Sequence, residues 1–253
     1  EAVMVLAYVG YGLLAVVGIY LLLLVIAALT ADPKKTYERP SGLCRWLLDF
    51  TVRLLMLFGR VRVEVTGLEK LPQDGRFLLV SNHRSNYDPI VQLACMQKCK
   101  LAFISKPENF KIPLVGRILR RCCFLPIDRE NPRNAITTIR AAARLMETDT
   151  VSVGVYPEGT RSRTGELLPF HSGVLKAAQQ AHVPVVVAAI QGAENVGHNF
   201  PLRRTTVRLD ILETLPADYV AHSRSVVLGE EIRSTLERYL PKTAQTYAVA
   251  HSA

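Results

Sequence analysis

Thirty consecutive positions, residues 2–31, carry no charged side chain. The run reads Ala2-Val3-Met4-Val5-Leu6-Ala7 through Leu21-Leu22-Leu23-Leu24-Val25-Ile26, interrupted only by Tyr, Gly and a terminal Thr30. As a helix it would measure roughly 45 Å at about 1.5 Å per residue, against a bilayer core of about 30 Å, so one tilted crossing fits. A processed signal peptide is the competing reading. Against it, the usual basic start is missing, the run is too long, and Ala27-Ala28-Leu29-Thr30-Ala31 is a weak cleavage match. Lys34, Lys35 and Arg39 follow at once, then Arg45, Arg53, Arg60 and Arg62. That bias beside a spanning segment predicts that everything after it lies on the cytoplasmic side of a membrane, the inner membrane if the source is bacterial.

The chain of 253 residues is long enough for one well-filled core, and its composition breaks clearly only near residues 31–41. Three parts are expected: a membrane-inserted helix over 1–31, a linker with an amphipathic helix over 32–59, and a globular domain over 60–253. In the second part Trp46, Leu47, Phe50, Leu54, Leu57 and Phe58 recur at helical spacing, while Arg45, Asp49 and Arg53 fall four apart on another face. This pattern suits a helix at the bilayer interface and equally one packed against the first helix and the domain. The net charge of +9 suits nucleic acid or an anionic membrane with anionic substrates. No zinc finger, RNA-binding strand pair or basic recognition helix is present, so nucleic acid is excluded as a partner and an anionic bilayer is favoured. The five cysteines lack metal-site spacing, and Cys122 and Cys123 read as small core hydrophobes. His182, His198, His222 and His251 make no ligand spacing, so no metal is expected.

Beyond residue 60, β-rich runs alternate with helical ones. Strands are expected at 61–65, 77–81, 101–104, 122–126, 151–156, 183–190 and 206–212, and helices at 89–97, 113–121, 132–147, 172–181 and 225–240. Val185-Val186-Val187-Ala188-Ala189-Ile190 is apolar on both faces, which implies helices covering both sides of a sheet. The fold class is therefore α/β with a mostly parallel central sheet flanked by helices, and its active site belongs in the loops after the strands' carboxyl ends. Three chemically unusual segments follow strands in that way: 82–88, 127–130 and 157–163.

His83 stands just past an apolar strand, in Asn82-His83-Arg84-Ser85-Asn86-Tyr87-Asp88, and Asp88-Pro89 opens a helix. Asp88 could simply cap that helix. It could instead reach back to the imidazole, fix its tautomer and leave the other nitrogen free to take a proton. Ser81 and Ser85 lie close, which admits a Ser-His-Asp hydrolase, yet no Gly-x-Ser-x-Gly elbow exists anywhere in the chain. A histidine without a protein nucleophile would act on a substrate hydroxyl. In Tyr156-Pro157-Glu158-Gly159-Thr160-Arg161-Ser162-Arg163, Gly159 permits close backbone approach, Thr160 offers a hydroxyl and Arg161 a fork matched to phosphate. Glu158 would hold Arg161 or a substrate hydroxyl. Arg129 follows another strand and would supply a second cation. Lys106 and Lys111, with Arg117, Arg120 and Arg121, suit an anionic surface or an ordinary solvated face. His171 begins a helix and reads as a cap or core contact. No nucleotide-binding glycine loop is present, so the donated group should arrive already activated.

These residues resemble the 1-acylglycerol-3-phosphate acyltransferases within the wider glycerolipid acyltransferase family. Asn82 to Asp88 matches that family's His-four-residues-Asp motif, and Phe124-Leu125-Pro126-Ile127-Asp128-Arg129 is similar to its second block. Tyr156 to Ser162 resembles the third, usually written with Phe at the Tyr156 position, and Val183-Pro184-Val185-Val186 the fourth. All four stand in family order across about residues 75–190. The resemblance implies a lysophospholipid acceptor, acyl-CoA or acyl carrier protein as donor, and no cofactor. It implies that His83, steadied by Asp88, deprotonates the sn-2 hydroxyl, and that Arg129 and Arg161 bind the acceptor phosphate. Backbone N–H groups, Arg84 or Asn86 would stabilise the oxyanion. Glycerol-3-phosphate or another lysophospholipid is an alternative acceptor, and a lipid hydrolase or a membrane scaffold are the competing classes.

Overall fold

The computed structural model describes residues 1–128 and 131–250. Helix α1 (Ala2–Leu29) is apolar on every side, and only Ala27 and Ala28 in it are buried. A helix of 28 residues spans about 42 Å, more than the hydrocarbon core needs. With its side chains turned outward rather than into a core, it is a membrane helix, and the basic residues after it place the domain on the cytoplasmic side.

Helix α2 (Gly42–Phe58) starts at Ser41, whose hydroxyl accepts the Cys44 N–H at 3.4 Å. It lies antiparallel to α1, with Ala27 facing Cys44 and the Tyr20 hydroxyl 2.6 Å from Thr51 Oγ1. On its charged line Arg45 and Asp49 are turned inward and Arg53 stays exposed. Arg45 donates to the Leu101 carbonyl at 2.7 Å and pairs with Asp49, and Arg53 bonds Gln97, while Trp46, Phe50, Leu57 and Phe58 face out. Arg45 reaches a carbonyl of the domain and Arg53 a domain side-chain amide, while much of the apolar side stays outside. Helix α2 packs among α1, α3 and α4 and leaves Trp46, Phe50, Leu57 and Phe58 exposed.

The sheet comprises β1 (Val61–Thr66), β2 (Leu78–Ser81), β3 (Ala102–Ser105), β4 (Leu125–Pro126), β5 (Val153–Val155), β6 (Val185–Gln191) and β7 (Thr205–Leu215), in the order β1-β7-β6-β2-β5-β3-β4. The helices are α3 (Asp88–Cys95), α4 (Val115–Arg121), α5 (Pro132–Glu147), α6 (Lys176–Ala181), α7 (Val196–Asn199), α8 (Ala217–His222) and α9 (Ser225–Ala250). All of β2 and β6 is buried, as expected of strands covered on both faces. Gly154 in β5 is required by packing, because a Cβ there would come within 2.3 Å of the Phe103 ring.

Two expectations need correction. The strand expected over 122–126 shrinks to Leu125–Pro126, because Cys122 and Cys123 donate their N–H groups back to the end of α4 and Cys123 takes a φ of 64°. Both remain buried, as small hydrophobes should. The helix over 172–181 begins as a tighter 3₁₀ turn, Ser172–Leu175, before α6.

The sheet is parallel from β6 through β4, but β7 runs antiparallel to β6 and carries β1 parallel beside it. The starts of β1 and β7 therefore share one edge with the carboxyl ends of the other five strands. Chain on that edge comes from strand beginnings as well as strand ends.

Candidate active site

The loop after β2 is held open by its first residue. Asn82 is fully buried, and its amide donates to the Ile190 carbonyl and accepts the Ile190 N–H, each at 2.9 Å. Both of its polar groups are satisfied, so the end of β2 is clamped to the end of β6 and the chain must turn away at His83.

Asp88 is fully buried, and its Oδ2 lies 2.8 Å from His83 Nδ1. The same oxygen accepts the Arg84 and Ser85 N–H groups at 2.7 Å each. These donors lie upstream, so Asp88 closes the catalytic loop rather than capping α3, which settles the two readings that sequence left open. A carboxylate oxygen that collects donors assigns the ring hydrogen to Nδ1 and leaves the Nε2 lone pair free. The side chain of His83 is 18% exposed, enough for a substrate to reach it.

The imidazole plane is set by stacking. Tyr156 lies against it with ring centroids 4.1 Å apart and planes 11° apart, and Phe103 stacks on the far side of Tyr156 at 5.6 Å. The Tyr156 hydroxyl donates to Gln92 Oε1 at 2.8 Å. Burial pushes that phenol well above its ordinary range. Sequence reading recognised Tyr156 as a block member but missed the stack. Gln92 was missed altogether, and its one signal was a buried glutamine a helical turn after Asp88.

The turn after β5 grips the backbone of His83 from both sides. The His83 N–H donates to Glu158 Oε1 at 2.7 Å, and the Ser162 N–H donates to the His83 carbonyl at 2.8 Å. Glu158 is only 3% exposed, and its second oxygen accepts the Leu168 N–H at 2.9 Å. The expectation that Glu158 holds Arg161 or a substrate hydroxyl thus gives way to a different task, because both oxygens are spent on main chain. Gly159 turns at φ 77°, a conformation that favours glycine. Thr160 and Arg161 stand exposed on that turn, and the Arg161 guanidinium has no partner among the described residues. Arg129 and Glu130 lie outside the described residues.

Other candidates separate. The Arg84 guanidinium donates to the Gly165 carbonyl and lies 3.9 Å from Glu194, so it ties two loops to the site. Arg76 binds Asp149 at the start of β2, on the opposite edge. Neither Ser81 nor Ser85 reaches the imidazole: the Ser81 hydroxyl faces the Asn82 carbonyl, and Ser85 Oγ accepts the Tyr87 N–H. His171 is exposed, with its N–H donated to Pro157 and its ring capping nothing.

Two of the sequence blocks, 82–88 and 156–162, meet here: a histidine locked to a buried carboxylate is held by a glycine turn that carries an exposed arginine. Residues 62–191 match the model of the Acyltransferase family. The chain belongs to that family. Among its relatives, the 1-acyl-sn-glycerol-3-phosphate acyltransferase of Haemophilus influenzae is 33% identical over 166 residues, covering 63% of this chain and 65% of that one. The enzyme of the same name from Escherichia coli is 29% identical over 204 residues, covering 79% and 81%. The crystal structure of the 1-acyl-sn-glycerophosphate (LPA) acyltransferase PlsC from Thermotoga maritima superposes with a TM-score of 0.61 at 26% identity, over 79% of this chain and 82% of that one. The chain spans less than two thirds, 65%, of the length of the Haemophilus relative it matches.

Proposed function

We propose that this acyltransferase moves a fatty acyl group from an acyl thioester to the sn-2 hydroxyl of 1-acylglycerol-3-phosphate, giving phosphatidic acid. The observation that carries the reading is the His83 to Asp88 bond with no protein hydroxyl on the imidazole among the described residues, which leaves the nucleophile to the substrate. Relatives that bear the name 1-acyl-sn-glycerol-3-phosphate acyltransferase support the choice of acceptor.

In this reading His83 Nε2 takes the proton of the acceptor hydroxyl as its oxygen attacks the thioester carbonyl, and Asp88 steadies the imidazolium. Backbone N–H groups hold the oxyanion. As the tetrahedral intermediate collapses, the C–S bond breaks and the imidazolium returns its proton to the departing thiolate, so His83 ends neutral. Arg161 binds the acceptor phosphate, and Arg129 joins it. Glu158 and Ser162 fix the main chain of His83, and Gly159 and Thr160 shape the phosphate side of the turn. The donor is acyl-CoA or an acyl carrier protein, no further cofactor takes part, and residues 60–253 act as the catalytic part.

The membrane is on the reaction's side of the molecule. Because α1 pairs Ala27 with Cys44 and Tyr20 with Thr51, its free part runs on in the direction in which α2 ends. At that end Gly59 adjoins Tyr87 of the catalytic loop, so α1 projects past the catalytic edge. A lipid acceptor in an anionic bilayer is then presented to His83 without leaving its leaflet. The test is to follow the products of a long-chain acyl thioester with 1-acylglycerol-3-phosphate present. Phosphatidic acid is expected, with the rate largely kept in Ser81→Ala and Ser85→Ala. Free fatty acid as the main product, lost in either serine variant, would make the protein a hydrolase.

A further inference from the structure

The connection from β6 to β7, residues 192–204, lies on the catalytic edge, and the chemistry uses none of it. It leaves β6 just past Ile190, which binds Asn82, and its inner half is tied to the site through Glu194, 3.9 Å from Arg84. Its outer half turns away. Leu202 is 84% exposed, more than any other large apolar residue described, those of α1 included, and Phe200 is 53% exposed. Arg203 and Arg204 follow, both exposed and without side-chain partners among the described residues.

This tip is built rather than loose. The Phe200 N–H donates to Val196 at 3.0 Å and the Arg203 N–H to Asn199 at 2.8 Å, while Arg60 Nη1 donates to the Leu202 carbonyl at 2.9 Å. Arg60 follows the end of α2, where Leu57 and Phe58 are themselves 69% and 66% exposed. One ordered edge therefore presents apolar groups backed by cations, beside the end of α2 and on the side to which α1 projects. Water gives no reason to hold Leu202 out, since burying it is favourable wherever an apolar phase is present. A bilayer with anionic headgroups offers both that phase and the counter-charge.

We propose that Phe200 to Arg204 is a second bilayer contact, separate from α1: Phe200 and Leu202 enter the headgroup and acyl boundary, and Arg203 and Arg204 bind lipid phosphates. The catalytic edge is then fixed on the membrane at two places, α1 with the end of α2 on one side and this tip on the other. The proposal rests on the membrane-side reading of that edge given above.

The test uses the full chain in vesicles of phosphatidylcholine and phosphatidylglycerol. Trp46 is the chain's one tryptophan, so W46F/L202W carries a single reporter at the tip. W46F/K98W carries one on the opposite edge. Lipids brominated on the acyl chain should quench the L202W emission about threefold and leave K98W unchanged, and R203Q/R204Q or pure phosphatidylcholine should remove most of that quenching. Quenching of L202W no greater than that of K98W would overturn the proposal. So would a blue shift without quenching that grows with protein concentration, which would assign the tip to a second copy of the chain. Equal quenching in R203Q/R204Q would overturn the phosphate contacts. A second arm uses Leu202→Asp. It should raise the apparent KM about tenfold for a vesicle-borne acceptor and leave turnover of a short-chain, water-soluble acceptor unchanged. An equal loss on both would mean a structural role only. The quenching arm needs no turnover, so it stands whether or not the assigned reaction is correct.

Discussion

The backbone N–H of His83 rests on the carboxylate of Glu158 at 2.7 Å, which ties the loop after β2 to the turn after β5. Glu158 spends its other oxygen on Leu168, which spreads the grip over a second stretch of loop. Glu158→Gln turns one of these acceptors into a donor that meets an N–H. Unfolding should then cost about 1–3 kcal/mol less in detergent, and kcat should fall more than KM changes. Burial pushes the Glu158 carboxyl up from the usual carboxylate range, with the two N–H groups offsetting only part. A raised folded pKa means that this group's stabilisation is complete below the unfolded value of about 4.3 and is lost as pH rises through the folded one. The stability gap between wild type and Glu158→Gln should therefore narrow from pH 4 to pH 7, as followed by thermal unfolding.

Asp88→Asn keeps the volume but presents an amide to three donors, and the imidazole loses the partner that sets its tautomer. kcat should drop by about 10²–10⁴ with little change in acceptor KM, as steady-state kinetics would read. A loss confined to KM would assign Asp88 to substrate binding instead.

Arg161 is exposed on its turn, and its guanidinium has no partner among the described residues. Arg161→Ala should raise the KM for a phosphate-bearing acceptor by about tenfold to a hundredfold and leave the donor KM alone, the loss being one charged hydrogen-bonded contact. Initial rates with each substrate varied in turn check this.

Tyr156 combines two tasks that substitution can separate. Tyr156→Phe keeps the stack on His83 but strips Gln92 Oε1 of its donor, while Gln92 Nε2 is already buried without a partner among the described residues. Stability should fall by about 1–3 kcal/mol with kcat within about threefold. Tyr156→Ala removes the stack, and kcat should fall about tenfold. Unfolding curves and kcat measured on both variants decide it.

Why some of this was legible in the sequence and some was not has a physical reason. His83 with Asp88, and Glu158 through Arg161, are local: each set lies within seven residues after a strand, so the chain itself brings them close. The grip of Glu158 on His83 is a contact across 75 residues between neighbouring strand ends, and no spacing announces it. Alternation of apolar residues marks a strand but not its direction, so the reversal of β1 and β7 was hidden, and with it the placing of Arg60 and Leu202 on the catalytic edge. Helix α2 was readable as a two-faced helix. Which face turned inward depended on the Leu101 carbonyl waiting for Arg45, which only the folded chain supplies.

The central claim is that His83 serves as the base for a hydroxyl brought by the substrate. Thiol release from a long-chain acyl thioester, followed with and without 1-acylglycerol-3-phosphate in wild type and in His83→Ala, tests it most directly. Release should depend on the acceptor in wild type and fall by at least about a hundredfold in the variant while the protein still inserts in membranes. Release of equal rate without acceptor, or undiminished in His83→Ala, would contradict it.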